Sequence, residues 1–192
     1  MAPSGGVSEV GGVDWHRLGD GDSEAGRQAG VLDLLRRAQR ELGGPLTGTR
    51  FLYRVRDMLA ATREIEAAVR GHDTTLYVGF QRADKLAGEA ATYRDLVAAG
   101  VRVTAFGTGE PDGPAGVRWV RLREDQAALQ NQWLLVTERP EPIAFVGFET
   151  SEPAHFGRAQ VSHPGRTFTG FVTGDRRLVR AIAEHLEAIG RP

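Results

Sequence analysis

Apolar residues recur at helical spacing in three early stretches of the chain. Val31, Leu34, Leu35, Ala38 and Leu42 fall on one face, and Gly43-Gly44-Pro45 stops the pattern, which predicts a first helix. Arg36, Arg37 and Arg40 lie largely on its other face and read as a solvated surface. Val55, Met58, Leu59, Thr62, Ile65 and Val69 form the stripe of a second helix, from about Phe51 to Arg70, ended by Gly71. A third helix runs from about Ala83 to Ala99 and stops at Gly100. Between these lie two short apolar runs, Thr75 to Phe80 and Val101 to Phe106, rich in β-branched and aromatic residues. They read as buried strands. A helix of that length between them implies a parallel pair joined by a right-handed crossover.

After Gly107 the pattern changes. Val117 to Leu122 predicts a strand, and Gln126 to Gln130 a short helical piece. Trp133 to Val136 and Ile143 to Val146 are two apolar runs. The connection Arg139-Pro140-Glu141-Pro142 predicts that they pair antiparallel. Phe168 to Val172 is a last strand. Asp175 then caps a final helix carrying Leu178, Val179, Ile182, Leu186 and Ile189, ended by Gly190. These elements predict an α/β fold: a single domain with a mixed, partly parallel central sheet of about six strands, flanked by helices. Residues 1–26 are Gly-rich with little apolar periodicity and read as a disordered tail. Residues 27–49 carry the first helix and a linker, and residues 50–192 form the main domain.

Composition narrows the function more than it defines it. The chain has 192 residues, with 24 basic and 25 acidic side chains, a formal charge of −1. Such a balance provides no overall field to hold nucleic acid or an acidic membrane. There is no cysteine, which removes disulfides, thiolate catalysis and Cys-ligated metals together. No apolar run approaches the ~20 residues a bilayer requires, and the N-terminus lacks a signal-peptide pattern, so the expected compartment is the cytoplasm. Lys85 is the single lysine; every other basic residue is arginine. The arginines are scattered, which reads as a codon habit rather than selection for anion recognition.

Motifs for catalysis are absent. His16, His72, His155, His163 and His185 show no metal-binding helix spacing, so neither metal nor cofactor is expected. Asp20-Gly21-Asp22 lacks the later ligands of a calcium loop. Gly107-Thr108-Gly109 follows a strand, but Pro111 and Pro114 come next where a dinucleotide fold needs a helix. The aromatics are more informative. Phe80 and Phe106 close the two parallel strands, beyond whose C-terminal ends ligands collect in open α/β sheets. Gln81 follows Phe80, and a polar side chain beside a buried strand end needs a partner. Tyr93 falls on the connecting helix and Trp133 opens a later strand. Phe80, Gln81, Tyr93, Phe106 and Trp133 are therefore the candidate ligand-binding residues. The loop from Glu149 to Arg166, with Pro153, His155, His163 and Pro164, is long enough to be functional or mobile.

The segments Tyr77-Val78-Gly79-Phe80-Gln81, Tyr93 to Gly100, Val103 to Gly107 and Trp133-Leu134-Leu135-Val136, in that order, resemble the DICT domain. The resemblance spans about Phe51 to Ile189 and includes the Phe168 to Val172 strand and the closing helix. It implies a sensory module, of a kind fused to or encoded with diguanylate cyclases, two-component proteins, photoreceptors and helix-turn-helix regulators. A fainter similarity of fold is to one half of a phospholipase D-like domain, whose catalytic signature is H-x-K-x4-D. The matching positions here hold Asn131, Trp133 and Glu138, so both the histidine and the lysine are replaced. The expectation is a non-catalytic regulatory module of bacterial signal transduction or transcription control. It would bind a small ligand or a signalling protein, with a homodimer allowed and no direct nucleic-acid role. The alternatives are an interaction module acting through the first helix, and a degenerate phosphodiesterase or hydrolase using Glu138 with His155 or His163.

Overall fold

The computed structural model describes residues 9–10, 13–14, 23–123, 126–151 and 165–191. Their order is β1 (Glu9–Val10), β2 (Val13–Asp14), α1 (Glu24–Glu41), β3 (Thr49–Leu52), α2 (Val55–Val69), β4 (Thr75–Arg82), α3 (Ala83–Gly88), α4 (Ala90–Ala98), β5 (Arg102–Thr108), β6 (Val117–Arg121), α5 (Ala127–Gln130), β7 (Gln132–Thr137), β8 (Ile143–Glu149), β9 (Phe168–Thr173) and α6 (Arg176–Ile189). β1 and β2 pair antiparallel with each other. The other strands form one sheet of seven, in the order β3-β9-β8-β7-β4-β5-β6. β4, β5 and β6 are parallel, and every pairing from β4 outward through β7, β8 and β9 to β3 is antiparallel. The mixed, partly parallel α/β sheet is as expected.

The strand count differs by one, and the difference is β3. Phe51 and Leu52 fit the helical stripe of the following segment, but Arg54 is extended and α2 begins only at Val55. Thr49 to Leu52 instead pair along β9 as a short edge strand. The predicted third helix is two: Gly88 ends α3, Glu89 leaves helical geometry, and α4 starts at Ala90. An interior glycine costs roughly 1 kcal/mol of helix stability, which favours a break at that point. The first helix is longer than its apolar stripe. It starts at Glu24, capped by Ser23, whose hydroxyl accepts from the Gly26 amide.

Two apolar layers sandwich the sheet. On one face Val31, Leu34, Leu35 and Ala38 of α1 and Leu178, Ile182 and Leu186 of α6 pack on Tyr77, Phe106, Leu134, Val146 and Phe171. On the other, Met58, Ile65 and Val69 of α2 and Tyr93 and Leu96 of α4 pack on Val78, Phe80, Leu135 and Phe145. The alternation along each strand divides the layers, as β pleating requires. The first helix's apolar stripe is thus consumed within the domain, which leaves that stripe nothing to offer a docking partner. Among the described residues, no helix is long and apolar enough to cross a membrane.

The strand directions set the site. β4 and β8 end, and β7 and β9 begin, at one edge of the sheet, and these four are neighbours. Gln81, Glu149, Asn131 and Arg166 all fall at that edge.

Candidate functional site

β4 does not run out as a regular strand. Its register against β5 shifts between Gly79 and Gln81, and Gln81 sits in the left-handed region at φ 64°. It is the sole non-glycine residue with positive φ among the described residues. A bulge of this kind re-aims a side chain, and left-handed backbone outside glycine is retained where surroundings enforce it. Thr108 Oγ1 donates to the Gln81 carbonyl at 3.1 Å and secures the distorted peptide.

The re-aimed amide enters a buried polar cluster. Gln81 Nε2 donates to Glu149 Oε2 at 3.0 Å, and Arg166 Nη2 donates to Gln81 Oε1 at 2.8 Å. Arg166 also grips the Glu149 carboxylate in fork geometry, Nε to Oε1 at 2.6 Å and Nη2 to Oε2 at 2.7 Å. The two side chains are 1% and 0% exposed. Ser151 Oγ, from a third residue, also donates to the carboxylate at 3.0 Å. The guanidinium lies 4.9 Å above the Phe168 ring, a cation–π contact that dresses its second face. Lys85 Nζ donates to the same Gln81 Oε1 at 2.6 Å. Burial lowers its pKa to about 8, with the nearby Arg166 charge acting in the same direction and Glu149 and Asp84 opposing. From the other face, Arg27 of α1 donates from Nε to the Thr150 carbonyl at 2.9 Å.

The five residues expected to bind ligand are divided by this arrangement. Gln81 is at the centre of the cluster. Trp133 stands beside it, edge-on to Phe145 and Phe168 at 5.1 and 6.1 Å, so that Phe168 links its ring to Arg166. Phe80 turns away and meets Tyr93 edge-on at 5.1 Å, inside the layer under α2 and α4. The Tyr93 hydroxyl donates to buried Glu66, and burial raises its pKa. Phe106 lies in the opposite layer with Tyr77. The five do not line one pocket.

Lys85, Glu149, Ser151 and Arg166 complete the site without having been expected there. Glu149 carried a signal: like Gln81, it is a polar residue at the end of an apolar strand run. Lys85 carried another as the chain's single lysine. Arg166 carried none, being one of many arginines. His155, His163, Pro153 and Pro164 lie outside the described residues, as do His16 and Asp20-Gly21-Asp22. Among the described residues, no three His, Asp or Glu side chains converge as a metal site would need.

Asn131, Trp133 and Glu138 are spread along β7. Asn131 precedes the strand, and its carbonyl accepts from the Glu149 amide at 2.9 Å. Glu138 follows the strand's far end, 3.9 Å from Arg180. The two positions are about 20 Å apart at strand rise. Ser151 and Gly165, which flank residues 152–164, are both at the Asn131 end. A cavity of about 680 Å³ opens at the opposite edge, between Tyr77, Arg102, Val103, Arg118, Leu186 and Glu187.

This fold, a mixed sheet with helices on both faces, recurs among solved structures. The chain aligns over its whole length with 28% of polyphosphate kinase from Porphyromonas gingivalis, at 12% identity and a TM-score of 0.50. It is also similar to NucT from Helicobacter pylori (TM-score 0.46, 10% identity, 72% of this chain and 93% of that one). A further likeness is to Nuc, a phospholipase D family member from Salmonella typhimurium (TM-score 0.37, 13% identity, 73% and 91% covered). At these identities the likeness is one of fold alone. No protein-family model and no curated protein matches the chain.

Proposed function

We propose that the protein is a regulatory module that senses a small ligand or a signalling partner at the strand-end cluster around Gln81. The observation that carries this reading is Gln81 itself. A left-handed, buried glutamine links an ion pair to a half-buried lysine, at the edge where α/β sheets receive ligands. Packing alone would favour apolar residues there, since a buried ion pair rarely stabilises more than a well-packed apolar pair. The cluster also joins β4, β8 and the start of β9, and Arg27 ties α1 to the neighbouring Thr150, so a change at one member is felt on both sheet faces.

The DICT-like sequence pattern supports a sensory role. In that reading the module works in the cytoplasm beside a diguanylate cyclase, two-component protein, photoreceptor or transcription regulator. It is non-catalytic: Trp133, at the position matching the phospholipase D-like lysine, is packed against Phe145 and Phe168.

The test is native mass spectrometry of the protein isolated gently from its own cells, wild type against Lys85→Met. Gln81→Ala is a poorer choice, because two cations share its carbonyl oxygen. A retained ligand or partner on the wild type, lost in Lys85→Met with no fall in melting temperature, is the expected result. Turnover of a generic phosphodiester that disappears in Asn131→Ala would overturn the reading in favour of a hydrolase.

A further inference from the structure

The cavity at the edge opposite Gln81 has a built interior. β4, β5 and β6 all begin there, and α4 and α6 end there. Tyr77 pairs with Thr104, and Thr104 with Arg118, so one row of three side chains leaves the sheet on the face that α6 covers. At one end of the row the Tyr77 hydroxyl donates to Glu187 Oε1 of α6 at 2.6 Å. At the other end Arg118 donates from Nη2 to the Gly190 carbonyl, which brings Arg191, the next residue, to that side. Two strand spacings, about 10 Å, separate the two ends. The hollow between them is polarised, with an acceptor over β4 and donors over β6.

Three guanidiniums line this hollow, those of Arg102, Arg118 and Arg191. They are scattered in the sequence, and the fold gathers them from β5, β6 and the residue after α6. Arg102 is held by Asp73. Among the described residues, no carboxylate lies within ion-pair distance of Arg118 or Arg191, and the lining carboxylate of Glu187 is engaged by Tyr77 instead. Arg118 spends one of its five N–H groups on the negative end of α6, and the others remain for a ligand. Between the two ends lies Thr104, 8% exposed, whose hydroxyl has no hydrogen-bond partner among the described residues. A polar side chain so deeply placed ordinarily has one.

Guanidinium forks match the oxygens of a phosphate group. A phosphate monoester carries about 1.5 to 2 negative charges at neutral pH, which suits the two guanidiniums without a carboxylate. A volume of about 680 Å³ falls within the range of small-molecule sites and exceeds what a bare phosphate fills. Val101, Val103 and Leu186 supply an apolar wall for the remainder. We propose that this cavity binds the phosphate monoester of a small organic molecule, with the phosphate on Arg118, Arg191 and the Thr104 hydroxyl and the organic body against Leu186. The site is separate from the cluster around Gln81 and does not rest on the reading of that cluster.

Isothermal titration calorimetry of the full-length protein tests this, with phenyl phosphate, benzoate and inorganic phosphate as probes at equal, low ionic strength. Phenyl phosphate is expected to bind saturably. Benzoate, with a single charge, and inorganic phosphate, with no organic body, should each bind about tenfold more weakly. Arg191→Gln should weaken phenyl phosphate binding about tenfold, and Arg118→Gln at least as much. Thr104→Val should weaken it about threefold. Arg191 is exposed and its side chain bonds to none of the described residues, so its variant keeps the fold and decides the matter should Arg118→Gln not fold. The proposal is overturned if phenyl phosphate does not bind saturably, if Arg191→Gln binds it as the wild type does, or if either of the other probes binds as tightly.

Discussion

Replacing Arg166 by methionine removes the guanidinium from a carboxylate that water cannot reach. Glu149 would keep the Gln81 amide and the Ser151 hydroxyl as donors, but lose bonds of 2.6 and 2.7 Å and the guanidinium charge that makes them. Both side chains are almost fully buried. Stranding one charge of such a pair costs about 3–5 kcal/mol. For a chain of this length, that lowers the melting temperature by about 6–20 °C, at roughly 2–4 °C per kcal/mol. Glu149→Met should also be costly, because it removes the carboxylate that the buried guanidinium grips with two bonds. The double variant removes both charges and fills the space with apolar atoms beside Phe168 and Trp133. It should recover to within about 1.5 kcal/mol of wild type. Urea unfolding of the four proteins, followed by circular dichroism, gives the cycle directly. Single variants that each cost under about 1 kcal/mol, with additive effects, would refute the claim that the pair is dry and coupled.

Two further outcomes follow from the titratable groups. Lys85 has its pKa lowered to about 8 in the fold from an ordinary 10.5. The unfolded chain therefore binds the extra proton between those values. Stability should rise with pH there and be flat in Lys85 below pH 8, and Lys85→Met should remove the rise, read as melting temperatures of the pair from pH 7.5 to 9.5. Asp175 caps α6, accepting from the amides of Thr47, Arg177 and Leu178, and the adjacent Arg177 holds its carboxyl well below the usual range. Asp175→Ala should cost about 2–4 kcal/mol at pH 7. Since a depressed carboxyl stabilises above its unfolded pKa near 4, the deficit should shrink in melts taken below that pH.

The larger outline was legible because it depends on local pattern. The helical stripes of α2 and α6, the continuous apolar runs of β4 and β8, and the proline-rich β7–β8 connection each announce themselves within a few residues. β3 escaped because four edge residues carry too little pattern to outweigh the helix that follows. The site was half legible, for a related reason. Gln81 and Glu149 each break an apolar run at its end, which is a local anomaly. Their pairing depends on β7 separating β4 from β8, a long-range fact that no spacing reveals. Arg166 is further removed still: it lies 17 positions after Glu149 in sequence, and nothing marks it among the other arginines. The bulge at Gln81 was hidden as well, since glutamine is not a residue that signals left-handed backbone.

The lysine at position 85 gains meaning from that same background. In a chain where arginine fills every other basic position, the composition offers no general reason for lysine at this one. Arginine would satisfy the bond to Gln81 Oε1 as a donor, and its planar fork is the better partner for a carboxylate. What arginine lacks is a second protonation state: its pKa stays above 12 in any protein setting, whereas a lysine responds to burial. Half-buried beside Arg166 and hydrogen-bonded to the neutral Gln81 oxygen, Lys85 sits where its proton is weakly held, and small changes in nearby charge decide whether it stays. A purely structural cation gains nothing from that. A group whose charge responds to a bound ligand or partner requires it. Substituting Lys85→Arg therefore separates the two roles: a structural role is kept, and the link between protonation and binding is abolished.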